Sequence, residues 1–180
     1  WARQSLHFSL ASHSNLEWLP QEVVLFADGL LEQSVEVELA TGASWLGMDV
    51  VRLGRSAAGE TLGRGCWRSR LRIRRLGPGI PRWELVDLVD ISAANLATEH
   101  GMAGQAVLGT LVWAAPDPLA GDALAELLAD GRRDRQGLEG AMGCGALEQG
   151  LIARYRGPSS QAARFWFTRL WARIRAAQGL

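Results

Sequence analysis

Leu6, Phe8 and Leu10 alternate with His7 and Ser9, and Val35, Val37 and Leu39 alternate with Glu36 and Glu38. A period of two sends alternate side chains to opposite faces of an extended chain, so both stretches are predicted as half-buried strands. Between them, the uninterrupted run Val23-Val24-Leu25-Phe26 is expected to be buried on both faces. Trp67, Leu71 and Ile73 alternate with Arg68, Arg70, Arg72 and Arg74, a strand with four guanidinium groups on one face. Asp28-Gly29, Thr41-Gly42 and Gly77-Pro78-Gly79 punctuate these runs as turns. Trp83 to Ile91 reads as a further strand, and Gly101 to Trp113 as a Gly-rich loop feeding one more. The mainly β part is expected to span 1–115.

After Pro116 and Pro118 the period changes. Leu124, Leu127 and Leu128 fall at helical spacing within Leu119 to Ala129. Residues 130–147 are rich in Gly and Arg with a weak apolar pattern, read as a mobile loop or partly helical linker. Ser159 or Ser160 then caps a helix in which Phe167, Leu170, Trp171 and Ile174 form one apolar face. Arg164, Arg169, Arg173 and Arg175 occupy much of the remainder. Residues 116–180 are thus a helix-containing C-terminal part of a single domain over 1–180, whose class is mainly β with a few helices toward the C-terminus.

Composition adds exclusions. The formal net charge is zero and every basic side chain among the 19 is Arg, so no global field draws the chain to nucleic acid or an anionic membrane. Without Lys, a Walker lysine is impossible, and the Gly-rich segments Gly54 to Glu60 and Gly101 to Gly109 lack phosphate-loop spacing. No GxSxG element presents a hydrolase nucleophile. Cys66 and Cys144 stand far apart, and His7, His13 and His100 form no cluster, so neither a disulfide framework nor a permanent metal is expected. A reducing cytoplasm fits this thiol usage. The first residue is Trp1 rather than Met, inside a strand-like pattern, so a fragment is expected.

Two surface features carry rival readings. The arginine strand could bind nucleic acid or an acidic partner as an independent β module, or it could pair across a sheet with Glu32, Glu36 and Glu38. Trp166 and Trp171 lie on adjacent sides of the last helix, so Trp166 is available to a partner if Trp171 faces the body. Core packing for both is the alternative.

Several longer strings resemble one family. Leu16-Glu17-Trp18-Leu19-Pro20-Gln21-Glu22 is similar to the LEWLPQE signature of the UreD proteins, called UreH in some lineages. Leu53-Gly54-Arg55-Ser56-Ala57-Ala58-Gly59-Glu60 resembles their LGRxAxGE element, and Gly104 to Val107 with Gly109-Thr110-Leu111 their GxxVxGTL element. Gly150-Leu151-Ile152-Ala153-Arg154-Tyr155-Arg156-Gly157 and Leu170-Trp171 with Arg175 resemble the GLxARxxG and LWxxxR endings. The family's N-terminal region is not among these matches, so the chain is expected to lack it.

The resemblance implies sheets stacked in a β-helical fashion with a small number of helices. It implies a cytoplasmic, non-enzymatic scaffold that binds UreF, through it the GTPase UreG, and apo-urease, with neither nucleic acid nor membrane as a partner. Nickel would pass transiently, with no permanently bound cofactor. Glu22 and Glu60, beside Gln21 and Arg55, are the candidates for an internal nickel route, although Arg55 and Glu60 could equally form a turn-stabilising pair. The last helix, through Arg164, Trp166, Trp171 and Arg175, is the candidate UreF-facing element.

Overall fold

The computed structural model describes residues 1–77 and 79–180. Ala2–Leu10 (β1) runs in one direction and the chain returns as Asn15–Trp18 (β2) and Val23–Leu25 (β3). Leu30–Leu39 (β4) and Ser44–Leu53 (β5) repeat that circuit, and Cys66–Arg75 (β6) opens the next. Arg82–Ser92 (β7), a helical turn at Ala93–Leu96 (α1) and Val107–Ala114 (β8) follow. Gly121–Arg133 (α2), Ala141–Leu147 (β9), Gly150–Gly157 (β10) and Ser160–Ala177 (α3) complete the chain.

The circuits stack. β1, β4 and β6 are parallel neighbours in a first sheet of order β1-β4-β6-β7, closed by antiparallel β7. β2 and β3 lie parallel to β5 in a second sheet, which continues β5-β8-β10-β9 in antiparallel fashion. Corners repeat as well: left-handed backbone occurs at His13 (φ 60°) and Gly42 (φ 68°), and again at Asp28 (φ 62°) and Gly63 (φ 60°). Each pair is laced by a backbone bond, His13 N–H to the Thr41 carbonyl at 3.1 Å and Asp28 N–H to the Leu62 carbonyl at 3.0 Å. The β-helical stacking and mainly β class implied above are therefore observed.

Three layers result. Even-numbered residues of β8 and β10, with odd-numbered residues of β5, face the first sheet; the opposite parity faces the helices. α3 packs on β5, β8 and β10, and α2 on β9. Leu46, Val50, Leu111, Trp113, Leu151 and Tyr155 meet Trp166, Phe167, Leu170 and Ile174 in the sheet–helix core. Ser159 caps α3, its Oγ accepting the Ala162 N–H at 3.1 Å.

On the outer face of the first sheet most of the arginine strand is paired with carboxylates of its neighbours. β4 and β6 align Glu32 with Arg68, Glu36 with Arg72 and Glu38 with Arg74. Arg72 pairs with Glu36, Arg74 with Glu38, and Arg68 with Asp90 at 3.0 Å. Three of the four guanidinium groups thus sit in cross-strand ion pairs, the second of the two readings above, while Arg70 is aligned with Ser34 and Leu88.

Some expectations change. Within 130–147, read above as a loop or partly helical linker, α2 extends to Arg133 and Ala141–Leu147 forms β9, which pairs with β10, so strands continue well past Ala115. Phe26 is exposed at a corner, under the Arg55 guanidinium at 4.6 Å, because β3 ends at Leu25. The Gly77-Pro78-Gly79 turn includes Pro78, which lies outside the described residues.

Candidate functional site

A uniform apolar filling between the two sheets would be the cheapest core. Instead that space holds two separate apolar clusters. One contains Val37, Leu39, Trp45, Ile73 and Val112, and the other Val51, Leu53, Leu62, Trp67 and Ile91. Between them a polar belt runs across the strands. The first sheet supplies Gln4, Gln33, Ser69 and Asp87, and the second supplies Asp49, Thr110 and, beyond it, Arg154. A cavity of about 80 Å³ lies along the belt, room for several waters.

Each belt residue sits there by strand parity. Gln4 on β1 is aligned with Gln33 on β4, whose Nε2 donates to Gln4 Oε1 at 2.8 Å, and Gln33 Oε1 accepts the Trp67 indole N–H. Asp49, Thr110 and Arg154 are register partners on β5, β8 and β10, three adjacent strands in one row. Arg154 Nη1 donates to Thr110 Oγ1 at 2.9 Å, and its other nitrogen pairs with Asp87 across the gap from β7.

Asp49 has no cationic partner of this kind. Burial pushes its carboxyl up from 3.8 to about 6, opposed only by the Val50 backbone N–H. Trp45 Nε1, at the same cavity wall, is buried without an acceptor among the described residues. Asp49 is half-buried, and a largely desolvated carboxylate without a cation beside it costs stability, which marks it as a functional candidate.

The open end of the belt is built by Pro20. β2 aligns Trp18 with Gly47, whereas β3 aligns Val23 with Val51, so Leu19 to Glu22 carries one extra residue opposite Met48 to Val50. Proline has no N–H for the ladder, and the strand breaks there. Trp18, Pro20, Gln21 and Val23 line the resulting mouth, with Asp49 just inside. Glu22 adjoins it, half-buried, with one carboxylate oxygen lacking a hydrogen-bond partner among the described residues.

The predicted site residues therefore divide. Trp18, Pro20, Gln21, Thr110 and Arg154 converge on the passage with Glu22 beside them. Gly54, Arg55, Gly59 and Glu60 do not: they form the β5–β6 corner, where Arg55 Nε meets Glu60 Oε2 at 2.8 Å and holds that carboxyl down to about 2. Glu60 is thus in the turn-stabilising pair and outside the interior lining. Gly109 gives the Phe167 ring room on β8, and Gly157 lies against the Tyr155 hydroxyl.

On α3, Trp166 is wholly buried and donates to the Gly131 carbonyl at 2.8 Å, the core-packing alternative named above. Arg175 pairs with Glu17 at 3.0 Å and lies 5.4 Å from the centre of the half-buried Trp171 ring. Arg164 reaches the Pro20 carbonyl at 3.5 Å. Arg164 and Arg175 thus tie the Glu17–Pro20 segment to the helix, while Arg164, Trp171 and Arg175 each stay partly exposed.

Asp49, Asp87, Gln33 and Ser69 were missed by sequence reasoning. Their signal is parity: each is a polar residue whose strand neighbours two positions away on either side are apolar or glycine. Among the described residues no group of three or more His, Cys, Asp or Glu side chains could hold a metal ion. No helix there is long and apolar enough to cross a membrane.

Fold and site together define a β-helical protein with a row of polar residues beside a cavity in its inter-sheet core. The family model described as UreD urease accessory protein matches residues 1–180. Urease accessory protein UreD of Synechococcus sp. (strain CC9902) is 58% identical over 180 residues, all of this chain and 58% of that protein. Those of Parasynechococcus marenigrum (strain WH8102) and Prochlorococcus marinus (strain MIT 9303) are each 56% identical over the whole chain, which covers 58% and 60% of them. The chain belongs to the UreD family of urease accessory proteins. It spans well under two thirds of the length of these relatives.

Proposed function

We propose that this chain is a non-enzymatic, cytoplasmic scaffold in the maturation of urease by nickel insertion, acting with UreF, the GTPase UreG and apo-urease, and that nickel crosses it through the inter-sheet passage. The observation that carries the reading is the unpaired Asp49 carboxylate inside a polar belt that splits the core in two. Such a belt forfeits apolar packing along its length, a loss that makes sense where an ion must pass. Oxygen donors at spaced positions suit transit, since a complete coordination shell would retain the ion. Asp49 attracts the cation near the mouth, the carbonyl oxygens of Gln4 and Gln33 with the Ser69 and Thr110 hydroxyls replace its water in part, and Asp87 receives it at the far end.

Ser69→Leu fills the passage from the first sheet without touching either carboxylate. In the complete protein this variant is expected to co-purify with UreF and UreG yet fail to activate apo-urease. Full activation by a folded Ser69→Leu protein refutes the route.

A further inference from the structure

The guanidinium in the belt is a puzzle if the passage conducts cations, because a fixed positive charge at one end opposes their transit. Arg154 pairs with Asp87 and donates to Thr110 Oγ1 at 2.9 Å; both partners line the cavity, so the guanidinium sits directly behind the second carboxylate. Its side chain is 32% exposed against 21% for Asp87, so it has solvent on one side into which it can turn. We infer that Arg154 is a tethered counter-ion that closes the empty passage at Asp87 and is displaced by the arriving divalent cation, which makes it the residue that selects charge. The inference rests on the passage being a cation route.

Charge balance supplies the selectivity. With Asp49 and Asp87 ionised and Arg154 in place, the belt carries one net negative charge. A divalent ion that turns Arg154 outward leaves the belt neutral, whereas a monovalent ion making the same exchange leaves it at minus one. In a medium of low effective dielectric, only the first exchange repays separating Arg154 from Asp87. The same counter-ion explains how two carboxylates persist in one core: without it Asp87 would be a second unpaired buried charge. It also prevents the resting passage from holding an ion permanently, since Arg154 must re-pair for the ion to leave.

The test is calorimetric titration of the complete protein with Ni²⁺ alone, comparing the wild type with Arg154→Gln, Arg154→Lys, Asp87→Asn and the double variant Arg154→Gln/Asp87→Asn. Removing the competing charge is expected to tighten Ni²⁺ binding by at least about tenfold in Arg154→Gln. The lysine variant should bind as the wild type does, and the double variant should lose the gain. Asp87→Asn, which keeps Arg154 as sole counter-ion to Asp49, should bind more weakly than wild type and decides the question should Arg154→Gln not fold. Equal affinities for wild type and Arg154→Gln, a gain that survives in the double variant, or wild-type affinity in Asp87→Asn overturns the inference. Urease activation by Asp49→Asn reads the route itself: full activation there removes the route and the gating role with it, even alongside the predicted Ni²⁺ affinities, whereas failed activation with unchanged affinities in Arg154→Gln removes the gating role alone.

Discussion

Replacing Asp49 by Asn removes a charge from the core while keeping the side chain's size and an oxygen for the Val50 N–H. The carboxyl is raised from 3.8 to about 6 by burial, which corresponds to about 3 kcal/mol against the ionised form. Its sign is specific. Between about pH 4 and pH 6 the unfolded chain has released this proton and the folded chain still holds it, so stability falls as pH rises through that window and is level above it. Asp49→Asn lacks the group, so its advantage over wild type should grow through the same window to roughly 2–3 kcal/mol at neutral pH. Urea unfolding of both proteins in steps between pH 4 and pH 8 measures the difference directly, with shared titrations cancelling. A stability difference that does not change with pH refutes the burial of an unpaired carboxylate, and with it the physical basis for calling the belt functional.

Trp166→Ala should lower stability by about 3–5 kcal/mol, and Trp166→Phe by only about 1 kcal/mol through loss of the bond to Gly131; a surface tryptophan would give almost no change in thermal melting. Glu60→Gln removes a carboxyl held down to about 2 by Arg55, so it should flatten the stability lost as pH falls toward that value and leave urease activation unchanged, as acid titration and an activation assay would show. Arg175→Ala should loosen the mouth segment by freeing Glu17, with faster hydrogen exchange across Leu16 to Glu22 and little change elsewhere. Salt-titrated duplex DNA binding should be negligible for the wild type and appear in Glu36→Ala/Glu38→Ala, which uncovers Arg72 and Arg74.

How much was legible in the sequence depended on how a residue signals its surroundings. β1, β4 and β6 were readable because one face of each is exposed and charged, giving a clean alternation. The pairing of β4 with β6 was readable for a related reason, since carboxylates and guanidinium groups recur at the same period. β9 was not: Gly143, Gly145 and Ala146 carry too little side chain to show a period, and their place in the sheet is set by β10 and α2. On α3 the apolar residues were recognised, but the stripe was rotated. Ala163 and Trp166 belong to the buried face, and Trp171 lies at its flank.

The candidate site shows the same divide. Trp18, Pro20, Gln21, Thr110 and Arg154 stood out because they lie in motif strings. Asp49 and Asp87 lie in no string that the motif reading used. What identifies them is a conflict between local chemistry and strand parity, which becomes visible only once the register decides which face is inward. Glu60 was drawn in by its motif, and its partner Arg55, five residues away, accounts for it locally.

The central claim is that nickel reaches urease through the belt between the two sheets. Its most direct measurement is the nickel content of urease matured by the complete protein carrying Asp49→Asn and Asp87→Asn together, with UreF and UreG bound. The route predicts an intact complex and urease that remains largely free of nickel. Urease fully loaded by that double variant contradicts it.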